Sequence, residues 1–265
     1  MILAVRNLKI CNKNMSYAER LVIEKGVKSD LIYDEHMVRY AFVERLAQDK
    51  RILDIASGSG YGSALLSKTA KSVIGIDLDK DAVEKARTMY GSEKLKFEVG
   101  DAGALKLKDK SVDLITSFET IEHLENVGAY LKELLRVSTD EAIICISTPN
   151  KEVYKEKNPF HVKEYTKQEF VDLLKRYFLE VKIFEQKNAL SSFIKADAKN
   201  EKIIINDDNG KARYFIAICS KKEIGESFDS SAAINTLALE RWENNPGWRL
   251  INFLYSILQK LGIRS

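Results

Sequence analysis

From Arg51 onward, short apolar runs alternate with helix-like segments. The series reads RILDI, SALLSKTA, SVIGID, DKDAVEKARTMY, LKFEVG, SVDLITSF, VGAYLKELLRV and EAIICIS. Runs rich in Val and Ile and bounded by turn residues suit buried strands, and the longer mixed segments between them suit covering helices. Strand–helix alternation at this spacing predicts an α/β fold around a doubly wound, mostly parallel sheet. KQEFVDLLKRYF adds a further helix starting near Tyr165 or Thr166, and VKIFEQ and ARYFIAICS add two closing strands, read as a long hairpin, for seven in all. The stretch between those two, 188–210, is polar and contains DDNG, a strong turn signal.

Three regions follow. Residues 1–49 form an N-terminal helical cap, in which 16–48 read as amphipathic helix with Leu21, Ile23, Val38, Phe42, Val43 and Leu46 as apolar positions. Residues 50–222 hold the sheet, and 223–265 form a C-terminal helical extension. In WRLINFLYSILQKLGIRS, Trp248, Ile251, Leu254, Tyr255, Leu258 and Leu261 recur at helical spacing, with Arg249, Lys260 and Arg264 at the flanks. That pattern suits an interfacial helix near lipid, a homodimer contact or a helix docked on the domain, and the three stay open.

Composition narrows the partners. The 42 basic and 39 acidic residues are interspersed and leave a net charge of +3. No strongly basic face is expected, so no DNA partner is expected and RNA is disfavoured. The three cysteines, Cys11, Cys145 and Cys219, show no CxxC spacing, and Cys145 and Cys219 lie in strand-like runs. Buried free thiols in a reducing cytoplasm fit that usage. The opening MILAVRNLKI is too short and charge-broken for a signal peptide, and no apolar stretch is long enough to span a bilayer. The expectation is a cytoplasmic protein, with peripheral membrane contact open through the C-terminal helix.

The most informative local signal is DIASGSGYG, Asp54 to Gly62, which follows a strand and opens a helix. Glycines there let the backbone approach a ligand closely. A glycine turn alone is shared with dinucleotide enzymes, so the acids downstream sharpen the reading. Asp77 ends the second strand, where a carboxylate can accept both hydroxyls of an adenosine ribose. Asp101 follows the third in VGDA, where it can accept from an adenine amino group, and in an open α/β sheet these strand ends share one crevice.

In this order, LDIASGSGYG, VIGIDLD, VGDA, SVDLITSFETIEHL and ICISTPN resemble the class I S-adenosylmethionine-dependent methyltransferases, over about residues 50–220. The resemblance implies a Rossmann-like fold with S-adenosylmethionine as cofactor. It implies that Gly58, Gly60 and Gly62 face the methionine moiety and that Asp54 supports its amino group. Asp77 would hold the ribose, Asp101 with Ala102 would read the adenine, and Leu78 would pack on its face. Phe118 and Ala56 complete the implied cofactor-binding set, Ala56 standing where the family's first glycine is usual.

Beyond the fourth strand, Glu119, Glu122 and His123 are spaced i, i+3 and i+4, so one helical turn would gather them. His161, in NPFHVKEYT, could face them across the crevice. Two carboxylates and two imidazoles make a sensible site for Mg, Mn, Fe or Zn, which could activate an acceptor hydroxyl. Equally, His123 could be a metal-free general base oriented by a glutamate, with Glu119 and His161 as further catalytic candidates, or the carboxylates could simply hold the loop. ExxEH with a later histidine resembles the metal-binding set of small-RNA 3′-end 2′-O-methyltransferases and also resembles ubiquinone-pathway O-methyltransferases. YAERLV, EHMVRY, FETIEHL, STPN and NPFHVKEYT are similar to a bacterial and archaeal methyltransferase group found with glycosyltransferases, which implies a glycan, sugar-containing or lipid-linked hydroxyl acceptor. An RNA 2′-O-methyltransferase and a non-catalytic cofactor-binding protein are the alternatives. Tyr17, Arg20, His36 and Tyr40 of the N-terminal segment are candidates to meet donor or acceptor.

Overall fold

The computed structural model describes residues 31–154, 158–187, 189–196, 199–206 and 210–224. Its centre is a seven-stranded sheet, built from β1 (Arg51–Ile55), β2 (Ser72–Asp77), β3 (Leu95–Val99), β4 (Val112–Ser117), β5 (Ser138–Pro149), β6 (Glu180–Gln186) and β9 (Tyr214–Ser220), in the order β3-β2-β1-β4-β5-β9-β6. β1 to β5 pair in parallel, and β9 runs antiparallel between β5 and β6. The chain starts in the middle and winds outward in both directions. The carboxyl ends of β1 and β4 therefore flank the point where strand order reverses, the usual place for a ligand crevice.

Alternation along each strand feeds two cores. Leu53, Ile55, Ile115, Ile144 and Ile146 face the layer that holds α4 (Val127–Val137) and α5 (Lys167–Leu174), where Tyr130, Leu131, Leu134, Phe170 and Leu174 are buried. Ile52, Leu114, Cys145, Ile216 and Ile218 face the other layer, with α1 (Leu31–Glu44), α2 (Tyr61–Leu66) and α3 (Lys80–Tyr90). A strand buried on both faces must be apolar at nearly every position, which explains the continuous runs in the sequence. Cys145 and Cys219 are buried free thiols, as expected. Thr166 caps α5 in a reciprocal capping box with Glu169, at the start predicted for that helix.

One stretch differs from expectation. Residues 188–210, read as a polar connection, contain β7 (Ala189–Ala196) and β8 (Lys199–Asn206), a separate two-stranded antiparallel ribbon inserted between β6 and β9. β-Branched residues such as Ile194 and Ile203–Ile205 favour extended backbone even where mean polarity is high. Gly210, the last residue of DDNG, adopts φ +81°, and the three residues before it lie outside the described residues.

Of the N-terminal cap, α1 is described, and it is helical as read. Residues 1–30, with Cys11, Tyr17 and Arg20, lie outside the described residues, as do 225–265, so the readings of the cap's first part and of the tail rest on sequence. Among the described residues no helix is long and apolar enough to cross a membrane.

Candidate functional site

The donor side is built on the loop from β1 to α2. Ala56 sits at φ +54°, Gly58 at +53° and Gly60 at +83°, so the chain makes a left-handed turn that carries the loop over the strand ends. Above Gly58 there is open space, and a Cβ there would touch nothing within 4 Å. Gly60 is needed for packing as well as for its φ, because a Cβ would lie 2.7 Å from the Phe97 ring and 2.8 Å from Ala86. At Gly62 a Cβ would fall inside the ring of Tyr40, so α1 and α2 can meet only over a glycine.

Asp77 fastens this loop: its Oδ2 accepts from the Gly58 N–H at 2.8 Å and its Oδ1 from the Asp79 N–H at 2.9 Å. Leu78 beside it is 64% exposed, a large apolar side chain held open at the strand end. Asp101 is exposed, with Oδ1 accepting from the Gly103 N–H at 2.7 Å, and Ala102 is buried beneath it.

Asp54 lies deeper than the rest of the set. Its carboxylate is fully buried and accepts from Thr116 Oγ1 at 2.7 Å, Ser63 Oγ at 2.5 Å and Tyr40 OH at 3.0 and 3.2 Å. Burial raises its pKa to about 6, partly offset by the bonds from Ser63, Thr116 and Tyr40. The residue thus ties α1, α2 and β4 together under the loop. Phe118 is buried edge-on against Tyr40, with ring centroids 5.0 Å apart.

On the acceptor side, the turn Ile121–His123 follows β4. Glu122, His123 and His161 each offer one ligand atom, all within 4.8 Å of one another. The loop carrying His161 is docked there by backbone bonds from Val162 and Lys163 N–H to the Glu122 carbonyl, at 2.8 and 3.1 Å. The two imidazoles meet edge to face, 4.9 Å between centroids. His123 Nδ1 bonds the Phe160 carbonyl at 3.1 Å, and a carbonyl only accepts, so Nδ1 carries the proton and Nε2 the lone pair. His161 Nδ1 faces Glu164 at 3.0 Å and its Nε2 faces the Asn158 side-chain amide at 3.0 Å, which assigns the same tautomer.

Glu122 is buried, with Oε2 accepting from Thr148 Oγ1 at 3.1 Å and Oε1 left without a hydrogen-bond partner. Burial, then the nearby charge of Glu119, pushes its carboxyl well above the ordinary range. Glu119 does not join this three-residue cluster. It adopts φ +50°, and its Oε1 accepts from Ser147 Oγ at 2.6 Å while its N–H donates to the same hydroxyl at 3.1 Å. Glu119 lies before the turn Ile121–His123 in a left-handed backbone conformation, so the helical spacing that would have gathered it with Glu122 and His123 does not apply to it.

Several residues of this region escaped the sequence reading. Asn158 and Glu164 flank His161 at three residues on either side, a spacing that could have marked them. Ser147 and Thr148 are in the STPN segment but gave no sign that they hold the two glutamates. Arg39 is fully buried on α1, bonded through Nη1 to Gln186 Oε1 at 2.9 Å and stacked 4.5 Å over the Tyr214 ring. Glu35, one turn earlier and also buried, accepts from Tyr214 OH at 2.7 Å. Glu and Arg four apart read as a solvated surface pair, and only the fold buries both. Of the N-terminal candidates, Tyr40 meets Asp54. His36 lies near Tyr61, 6.4 Å between rings, with its pKa lowered to about 3 by burial and then by Arg39.

A family model described as a methyltransferase domain matches residues 46–195. A protein of Mycolicibacterium smegmatis named "Probable S-adenosylmethionine-dependent methyltransferase" is 30% identical over 154 residues, 56% of this chain and 59% of that protein. The ubiquinone biosynthesis O-methyltransferase of Pelagibacter ubique is 33% identical over 102 residues, 38% of this chain and 42% of the other. The chain thus spans less than two thirds of the length of these relatives. The YcgJ protein of Bacillus subtilis superposes with a TM-score of 0.53 at 19% identity, over 71% of this chain and 100% of that structure, and so shares the fold.

Proposed function

This chain belongs to the methyltransferase-domain family, with the seven-stranded Rossmann-like fold of class I S-adenosylmethionine-dependent methyltransferases, and on that premise we propose that it methylates a hydroxyl of a small, sugar-containing or lipid-linked acceptor. The observation that carries the reading is the cluster of Glu122, His123 and His161, in and against the turn after β4, the strand next to β1. A sulfonium cofactor supplies an already activated methyl group, so the protein has to bind it, align the acceptor and deal with the acceptor's proton. The open face over Gly58, the Asp77 carboxylate and the exposed Leu78 suit a nucleoside cofactor with a small aliphatic tail. An O-methyltransferase among the relatives supports a hydroxyl acceptor.

A hydroxyl is a weak nucleophile toward the sulfonium methyl until its proton is withdrawn, and His123 is suited to that step. Its Nδ1–H is anchored on a backbone carbonyl, so the ring is oriented with the basic Nε2 turned away from that anchor. With the Asn158 amide displaced from His161 Nε2, the same residues fit a divalent ion. Glu122 Oε1 is a buried acceptor without a partner, and both histidines donate Nδ1–H to a carbonyl or carboxylate, the arrangement that orients metal-ligating imidazoles. Glu122, His123 and His161 would hold Mg, Mn, Fe or Zn, and such an ion supplies Lewis acidity that lowers the pKa of a bound hydroxyl.

Incubation with labelled cofactor and separate glycan, lipid and RNA pools tests the function, with label expected in the glycan or lipid fraction. Label confined to RNA would overturn the acceptor class. Chelation should stop turnover but spare donor binding, and His161→Ala should reproduce it. Full turnover after chelation would leave His123 as a metal-free base.

A further inference from the structure

Arg39 presents an unusual combination. It is 0% exposed, yet two of its three guanidinium nitrogens, Nε and Nη2, are buried without any hydrogen-bond partner. Those two nitrogens form one edge of the planar group, the edge whose parallel N–H bonds match the two oxygens of a carboxylate or phosphate. The rest of the side chain is fixed. Nη1 is held by Gln186 at the end of β6, and the plane stacks on Tyr214 at the start of β9. Gln186 is itself tied back, its amide donating to the Glu35 carbonyl at 3.0 Å, and Tyr214 donates to the Glu35 carboxylate. Glu35, one turn earlier on α1, accepts from Tyr214 and lies 3.6 Å from Arg213 Nε.

Position completes the case. Arg39 stacks on Tyr214, which pairs with Pro149 next to the Thr148 that holds Glu122, and its neighbour Tyr40 meets Tyr61 at the start of α2 with 5.9 Å between rings, so the residue stands at the strand ends that carry the acceptor cluster, on the helix that packs on the donor loop. A buried cation with an unused donor edge costs free energy, since each unpaired polar group forfeits the hydrogen bonds it had in water. Such an edge, held rigid by three elements, is suited to a ligand that brings the missing acceptors.

We propose that Arg39 is the anion-binding residue of the acceptor site, and that the acceptor carries a carboxylate or phosphate which docks on the Nε–Nη2 edge while its hydroxyl is methylated. This rests on the hydroxyl-methylation reading above.

The test uses the full chain saturated with S-adenosylhomocysteine, so that the donor's own carboxylate site is filled. Calorimetry then compares D-glucuronate, neutral D-glucose and inorganic phosphate as probes. Glucuronate is expected to bind at least about tenfold more tightly than glucose, the scale of a two-point charged contact. Arg39→Met should abolish that preference while changing S-adenosylhomocysteine affinity less than about twofold. Phosphate binding that needs Arg39 supports the same site with phosphate as the oxyanion. Equal binding of glucuronate and glucose with no phosphate binding overturns the proposal without any variant, should Arg39→Met fail to fold. An Arg39→Met loss confined to S-adenosylhomocysteine affinity also overturns it, because the oxyanion is then the donor's. Arg39→Lys keeps the charge but not the edge, and should lose most of the glucuronate preference. These readouts are of binding, so absence of methyl transfer to glucuronate would count against the reaction and not against the anion site.

Discussion

Two residues under the donor loop hold conformations or charges that elementary chemistry disfavours. Ala56 adopts φ +54°, where an L side chain crowds its own backbone at about 1–2 kcal/mol. Ala56→Gly should relieve that strain. Because glycine also gains freedom in the unfolded chain, the net stabilisation should be roughly 0.5–1 kcal/mol. Thermal melts that show no gain would mean the turn is not strained at this position. Asp54 has the opposite kind of cost. Its folded pKa of about 6 stands above the unfolded value, so the folded state holds its proton more tightly. The resulting stability is present below about pH 4 and is lost as pH rises through about 6, a change of roughly 2–3 kcal/mol. Asp54→Asn cannot titrate, so wild type should lose stability relative to it between pH 4 and pH 7. A flat difference across that window would place the Asp54 pKa near its ordinary value.

At the level of elements, α1 does more than cap the sheet. Tyr40 reaches from it to Asp54 on β1, and Arg39 reaches to Gln186 on β6, so one helical turn spans both halves of the crevice. The meeting of α1 with α2 depends on Gly62, whose missing side chain leaves room for the Tyr40 ring. Gly62→Ala should displace Tyr40 and break its bond to Asp54, costing about 2–4 kcal/mol from overpacking plus a strained buried acceptor. A urea titration showing a loss below about 0.5 kcal/mol would mean that α1 can pivot away at little cost. The glycines of this motif thus divide their work: Gly58 keeps a face open, whereas Gly60 and Gly62 admit protein side chains. Their presence was plain in the sequence, but this division depends on Phe97 and Tyr40, which come from other parts of the chain.

At the scale of the whole molecule, the seven strands of the sheet described all lie before residue 225. The apolar stripe of residues 248–261, read from sequence alone, suits an interfacial helix near lipid, a dimer contact or a helix docked on the domain, and the lipid case has a direct test. Deleting those residues should leave donor binding intact and abolish co-sedimentation with anionic liposomes. Full-length protein that never co-sediments would point to a dimer contact or to docking instead.

The sequence alone determined the class of fold, because strands buried on both faces and helices amphipathic on one leave patterns that only a doubly wound sheet satisfies. It also placed a glycine loop after β1 and acids at the ends of β2 and β3, since those places follow from order along the chain. What only the tertiary structure decided is the company each polar group keeps. Asp54 is under three hydroxyls, Glu119 is on Ser147 apart from the Glu122–His123–His161 cluster, and Arg39 is buried with one edge unpaired. Strand pairing brings together Gln186, Tyr214 and α1 from positions nearly 180 residues apart. The ribbon of β7 and β8 was hidden for a related reason: mean polarity masked local β-propensity in a segment that pairs with itself. Periodicity records which face of an element is apolar, and it carries no information about which distant side chain arrives opposite a buried charge.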